Sequence, residues 1–139
     1  MKIERVHLQL DNSFASKLIG ISCAEKDYRL CWALNHQLGL DMERKSNEGI
    51  PSRIHLADYP FFEYINENNG QVYRLLANRF ESKVLLSELK TIDFLFLLQG
   101  EDINLQDITT KITNIDFVFH ATEIELNKLK ERDILYLDE

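Results

Sequence analysis

The chain has 139 residues, with 16 Lys and Arg against 23 Asp and Glu, a formal charge of −7 and a pI near 5.1. Hydrophobic residues make up 45% and charged residues 28%, with only 5 Gly and 2 Pro, the balance of one globular domain and not of a low-complexity chain. The acidic excess argues against a general binder of nucleic acid or of anionic membranes, because phosphate backbones and acidic headgroups are met by a basic stripe. Here the cations are scattered: Lys2, Arg5, Lys17, Arg44, Lys45 and Arg53, then Lys128, Lys130 and Arg132 interleaved with Glu125, Glu131 and Asp133.

The longest apolar run, Phe94 to Leu98, is far shorter than the roughly 20 residues of a membrane span. Residues 1–10 carry Lys2, Glu4 and Arg5 and alternate in polarity, unlike the apolar centre of a signal peptide. Cys23 and Cys31 are the two cysteines, without CxxC spacing, which fits core thiols in a reducing compartment. Together these features lead to the expectation of a cytoplasmic protein.

Along residues 3–10, Val6, Leu8 and Leu10 alternate with Arg5, His7 and Gln9, which predicts a half-buried strand. Asp11-Asn12-Ser13 is turn chemistry, and a second strand is expected from Phe14 to Ile21. Ser22-Cys23-Ala24-Glu25 has the form of a capping box opening a helix to about Leu38. Tyr28, Cys31, Leu34, Asn35 and Leu38 form its predicted buried stripe, and Gly39 its C′ residue. A short strand over Leu40 to Lys45 and a surface loop over 46–58 follow.

The aromatic run Tyr59 to Ile65 and the stretch Val72 to Phe80 read as a hairpin turned by Asn68-Asn69-Gly70. Ile92 to Leu98 is apolar on both faces, which places it inside the sheet. Asn104 is the predicted cap, and Asp107 the N3 residue, of a second helix carrying Leu105, Ile108, Ile112 and Ile115. Asp116 to Thr122 reads as a strand with Phe117 and Phe119 opposite Val118 and His120. The tail reads as a short helix through Lys130 and a strand from Ile134 to Leu137. The fold expected is a single α+β domain, a two-layer sandwich with a mostly antiparallel sheet of about six or seven strands and two or three helices on one face.

Leu86-Ser87-Glu88-Leu89-Lys90-Thr91-Ile92-Asp93-Phe94 resembles the signature of the bacterial IPExxxVDY family. Glu88 and Asp93 match it; Leu86, Ile92 and Phe94 stand close to its Ile, Val and Tyr. Ser87 replaces its Pro, and Phe94 lacks the phenol hydroxyl. Leu18-Ile19-Gly20-Ile21-Ser22, Asp27-Tyr28-Arg29-Leu30 and Ala33-Leu34-Asn35 are similar to the same family, so the resemblance covers most of the chain. It implies a small cytoplasmic bacterial protein and carries over no catalytic residue.

Glu88 and Asp93 admit two readings. A carboxylate pair can do acid–base work where its surroundings separate the two pKa values. Alternatively, both brace the backbone at element ends, the commoner use of such groups, and no His or nucleophile lies near them in sequence. His7, His36, His55 and His120 show no HxH or HxxxH spacing, so no metal site is expected; His7 and His120 would need to meet across a sheet. The glycines are isolated, with no phosphate-binding loop and no GxSxG element, and so no cofactor is expected. His36 is rotated about 140° from Cys31 around the helix, which argues against a local dyad.

Tyr59, Phe61, Phe62, Tyr64, Tyr73 and Phe80 cluster on the predicted hairpin. They mark either a protein interface or a sheet covered on both faces. The functional expectation is a non-enzymatic protein acting through protein contacts, as a homodimer or small adaptor. The alternative is a small-molecule binder or enzyme with a pocket near Glu88 and Asp93.

Overall fold

The computed structural model describes residues 16–45, 61–80 and 83–129. The predicted strands over 3–10 and 134–137, the 46–58 loop and Tyr59 lie outside the described residues. Strand β1 (Lys17–Cys23) leads to helix α1 (Asp27–Leu38) and a short strand β2 (Glu43–Lys45). Strands β3 (Phe61–Ile65) and β4 (Val72–Ala77) form the hairpin, and β5 (Arg79–Phe80) with β6 (Lys83–Val84) a small ribbon. A 3-10 turn (Ser87–Leu89), strand β7 (Phe94–Gln99), helix α2 (Leu105–Thr113), strand β8 (Val118–Ile124) and a second 3-10 turn (Leu126–Lys128) complete the order.

Six strands make one antiparallel sheet in the order β2-β3-β4-β7-β1-β8. The fold is α+β, as the hairpin-rich pattern predicts. β7 lies in the interior of the sheet between β4 and β1, and its residues Phe94 to Leu98 are all buried. Such a strand requires cover on both faces. On one face, Ile19, Ile21, Leu75, Phe96 and Leu98 pack with Leu30 and Leu34 of α1 and Ile112 of α2. On the other, Leu18, Phe61, Leu76, Leu95 and Leu97 lie against Leu85, Leu86, Ile92, Leu126 and Leu129. The helices therefore cover one face, while apolar side chains from irregular segments pack on the second.

Several local expectations change. The capping box does not form: Ser22 remains in β1, paired with His120, and α1 starts at Asp27 behind Lys26, which makes no side-chain cap. Ladder pairing to β8 holds the backbone extended where the cap would have turned it. Asp27 occupies the first turn instead, accepting the Tyr28 N–H at 2.7 Å, a position favoured by the helix dipole. The buried face of α1 is Leu30, Cys31, Ala33 and Leu34, whereas Tyr28 is exposed. Asn35 pins the chain after the helix: its Oδ1 accepts the Met42 N–H at 2.9 Å and its Nδ2 donates to the Met42 carbonyl at 3.2 Å. Gly39 adopts the left-handed C′ conformation, φ 68°.

The return strand of the hairpin ends at Ala77, where Asn78 leaves the ladder, and Arg79–Phe80 pairs separately with Lys83–Val84. In β8 a register shift opposite Ser22 and Cys23 breaks the expected alternation. It leaves Phe119 exposed beside His120 while Val118 is buried. Arg74, buried on β4, and Glu63, half-buried directly opposite on β3, form a pair with Nε to Oε2 at 2.6 Å. Because a one-residue slip would move both charges, the pair fixes the register of the hairpin.

At Gly20 the side chains of Ile124 and Ile92 close over the backbone of β1. A Cβ there would lie 2.7 Å from Ile124 Cδ1 and 3.1 Å from Ile92 Cγ2. Gly20→Ala is expected to destabilise the fold by about 1–3 kcal/mol, the usual effect of overpacking. Urea denaturation measures this, and a variant as stable as the parent contradicts the packing described.

Candidate functional site

The segment with the family-like motif is built around one amide side chain. Asn78 is fully buried. Its N–H donates to the Asp93 carbonyl at 2.8 Å and its own carbonyl accepts the Leu85 N–H at 2.7 Å. Its Oδ1 accepts the Leu86 N–H at 2.8 Å. Its Nδ2 donates to the carbonyls of Leu89 at 2.8 Å and Ile92 at 2.9 Å. Each polar atom of Asn78 is thus bonded to the segment 85–93, which wraps around it and lays Leu86 and Ile92 over β1 and β7.

Asp93 closes the same segment. Its N–H donates to the Ile21 carbonyl at 3.1 Å. Its Oδ2 accepts the Cys23 N–H at 3.0 Å, and its Oδ1 lies 3.7 Å from Nε of Arg79. The carboxylate therefore joins the end of β1 to the start of β7. Leu86, Ile92 and Phe94 are buried; Ser87 and Glu88 are exposed on the 3-10 turn. Phe94 packs in the helix-side core, where the missing hydroxyl leaves no polar group to satisfy.

The thiols are also interior groups. Burial raises the Cys23 thiol pKa, with the Asp93 and Glu25 carboxylates adding to it and a backbone hydrogen bond from Glu25 opposing it. Burial, then Asp27 and Asp41, push Cys31 up to about 11. Neither thiol is a thiolate at neutral pH, and so neither is an activated nucleophile.

Among the described residues no group of three or more His, Cys, Asp and Glu is arranged to hold a metal ion. His36 and His120 are both exposed, on different elements; His7 and His55 lie outside the described residues. A groove of about 600 Å³ runs along Ser16, Lys17, Leu105 and the stretch 123–128. Neither Glu88 nor Asp93 lines it.

Three of the hairpin aromatics are core residues. Phe61 packs in one core and Phe62 and Tyr73 in the other, all three buried, with Tyr64 half-buried beside Tyr73. Phe61, Phe62 and Tyr73 therefore serve the two cores and offer no exposed aromatic surface. Among the described residues the exposed large aromatics are Tyr28 at 58%, Trp32 at 63% and Phe119 at 74%. Tyr28 and Trp32 lie one turn apart on the outer face of α1, and His36, one turn further, packs against Trp32 with ring centroids 4.1 Å apart and planes tilted by 33°. The i, i+4, i+8 spacing of these three residues was the sequence signal for this ridge; the reading of Tyr28 as a buried residue obscured it.

In comparisons with family models, curated proteins and solved structures, nothing matches the chain.

Asn78→Ala leaves the Leu86 N–H and the Ile92 carbonyl without their partner, while the Leu89 carbonyl keeps the Ile92 N–H. The expected loss is at least about 2 kcal/mol, at roughly 1–3 kcal/mol per orphaned buried group. Asp93→Asn, which keeps an acceptor for the Cys23 N–H, should cost less than Asp93→Ala. Chemical denaturation of the three variants measures both effects, and equal stabilities contradict the bracing role.

Cys31 adds a pH dependence. Its folded pKa lies above the ordinary 9.0, so its contribution is intact below pH 9 and is lost as pH rises towards 11. The parent should lose more stability than Cys31→Ala between those values; parallel losses contradict it.

Proposed function

We propose that the protein acts by binding protein, through the outer face of α1, and that the motif segment serves as its structural brace. The observation that carries the reading is the exposure of Trp32 at 63% between Tyr28 and His36. Trp is the side chain most often found at the energetic centre of interfaces, and aromatic ridges mark contact surfaces. A net charge of −7 supports a protein partner over a nucleic-acid backbone.

The use of Asp93 on the Cys23 N–H and Arg79 supports bracing over acid–base chemistry. No helix among the described residues is long and apolar enough to cross a membrane. Two buried, free cysteines support a reducing, cytoplasmic setting. Kinship with the IPExxxVDY family belongs to the same proposal; the support for it is the match of Glu88 and Asp93 and the single folded unit that their segment forms.

A photo-crosslinking residue at position 32 should form a covalent protein adduct in cells, and one at the exposed hairpin position 67 should not. Absence of an adduct at position 32, or equal yields at the two sites, contradicts the proposal.

A further inference from the structure

The tip of the β3–β4 hairpin carries the Asn69-Gly70 pair, and both residues are exposed. Every other asparagine of the chain is followed by a residue with a side chain, including Asn66 and Asn68 in the same loop. Such a side chain shields the amide nitrogen that follows the asparagine. At Gly70 the nitrogen is unshielded, and no atom beyond the chain neighbours lies within 4 Å of where a Cβ would stand. Asn69 Oδ1 accepts the Gln71 N–H at 2.9 Å. That bond closes a ring containing the Gly70 nitrogen, keeps the Asn69 side chain turned towards the Gly70 peptide, and polarises the side-chain carbonyl. One contact opposes reaction: the Gly70 N–H donates to the Asn66 carbonyl at 2.7 Å, which withholds the nitrogen until the bond opens.

We propose that Asn69 is a modification site of the folded protein, deamidating by attack of the Gly70 nitrogen at a rate set by opening of the Gly70–Asn66 hydrogen bond. The nitrogen forms a bond to Asn69 Cγ as the bond from Cγ to the side-chain nitrogen breaks. Ammonia leaves, carrying the Gly70 proton, and a cyclic imide remains. Water then opens the imide at Cγ to give aspartate, or at the main-chain carbonyl to give isoaspartate. Either product adds one negative charge to the −7 of the chain.

The two products have different consequences. Aspartate keeps the backbone, and its carboxylate accepts the Gln71 N–H in a stronger, charge-assisted bond. Isoaspartate routes the chain through Cγ and lengthens the backbone by one carbon, which removes that acceptor. Gln71 ties the loop to its surroundings, its Nε2 donating to the Glu101 carbonyl at 2.8 Å and its Oε1 accepting the Tyr73 hydroxyl at 2.7 Å. Isoaspartate therefore loosens the end of the hairpin, and aspartate does not.

Incubation of the whole chain in warm, mildly alkaline buffer, followed by peptide mapping and isoaspartate detection, tests the proposal. The folded protein, the protein in urea, Asn69→Gln and Asn66→Ala are compared. Asn66→Ala removes the Oδ1 that accepts the Asn68 N–H at 3.0 Å and so loosens the loop without touching the reacting pair. Asn69 should convert first, and faster as pH rises. Its conversion should be roughly two- to tenfold faster in urea than in the folded chain, the factor that one net hydrogen bond confers. Asn66→Ala should move the folded rate towards the unfolded one, and Asn69→Gln should remove the modification. Earlier conversion of another asparagine, an Asn69 that stays intact in the folded protein, equal rates in the folded and unfolded chains, or an Asn66→Ala rate equal to the parent's overturns the proposal.

Discussion

The fold depends on how a stretch with little ladder pairing of its own is held against a sheet. Residues 85–93 cover the helix-free face, and their backbone groups need partners away from water. Asn78 supplies them. It stands where β4 leaves the sheet, fully buried, and bonds Leu85, Leu86, Leu89, Ile92 and Asp93. In a low-dielectric interior such a network is strong when complete and costly when broken. It sets the position of Leu86 and Ile92, and Ile92 together with Ile124 packs closely over Gly20 of β1, where an added Cβ would push both side chains aside.

Asp93 extends the same logic to the other side of the segment. By accepting the Cys23 N–H where β1 ends, it takes up a backbone group at the place where the chain turns towards α1. A carboxylate fixed in this way, with Arg79 at its second oxygen, is an anchor. The exposed Tyr28 and Trp32 lie on α1, the helix that Asn35 ties to Met42 and that Leu30 and Leu34 root in the core.

Features governed by neighbours in sequence were legible. Asn104 caps α2 by accepting the Asp107 N–H, Gly39 and Gly70 take positive φ, and the two-sided apolar run of β7 lies inside the sheet. Features decided by distant residues were not. The capping pattern at Ser22 lost to pairing with His120, which is invisible locally. Asn78 falls inside the stretch Val72 to Phe80 read as one strand, and its partners lie 7 to 15 positions later. The hairpin aromatics carry the same composition whether a second layer covers them or not. On α1 two stripes overlap in spacing, and Tyr28 was read into the wrong one.

The central claim is that the motif segment is a rigid part of the core, clamped by Asn78 and Asp93. Native-state amide exchange at Leu86 and Cys23, whose N–H groups donate to those two side chains, tests it most directly. The account predicts that both amides exchange only through global unfolding, with opening free energies equal to that of the whole domain. Rapid exchange of either amide, at the rate of an exposed loop, would contradict it.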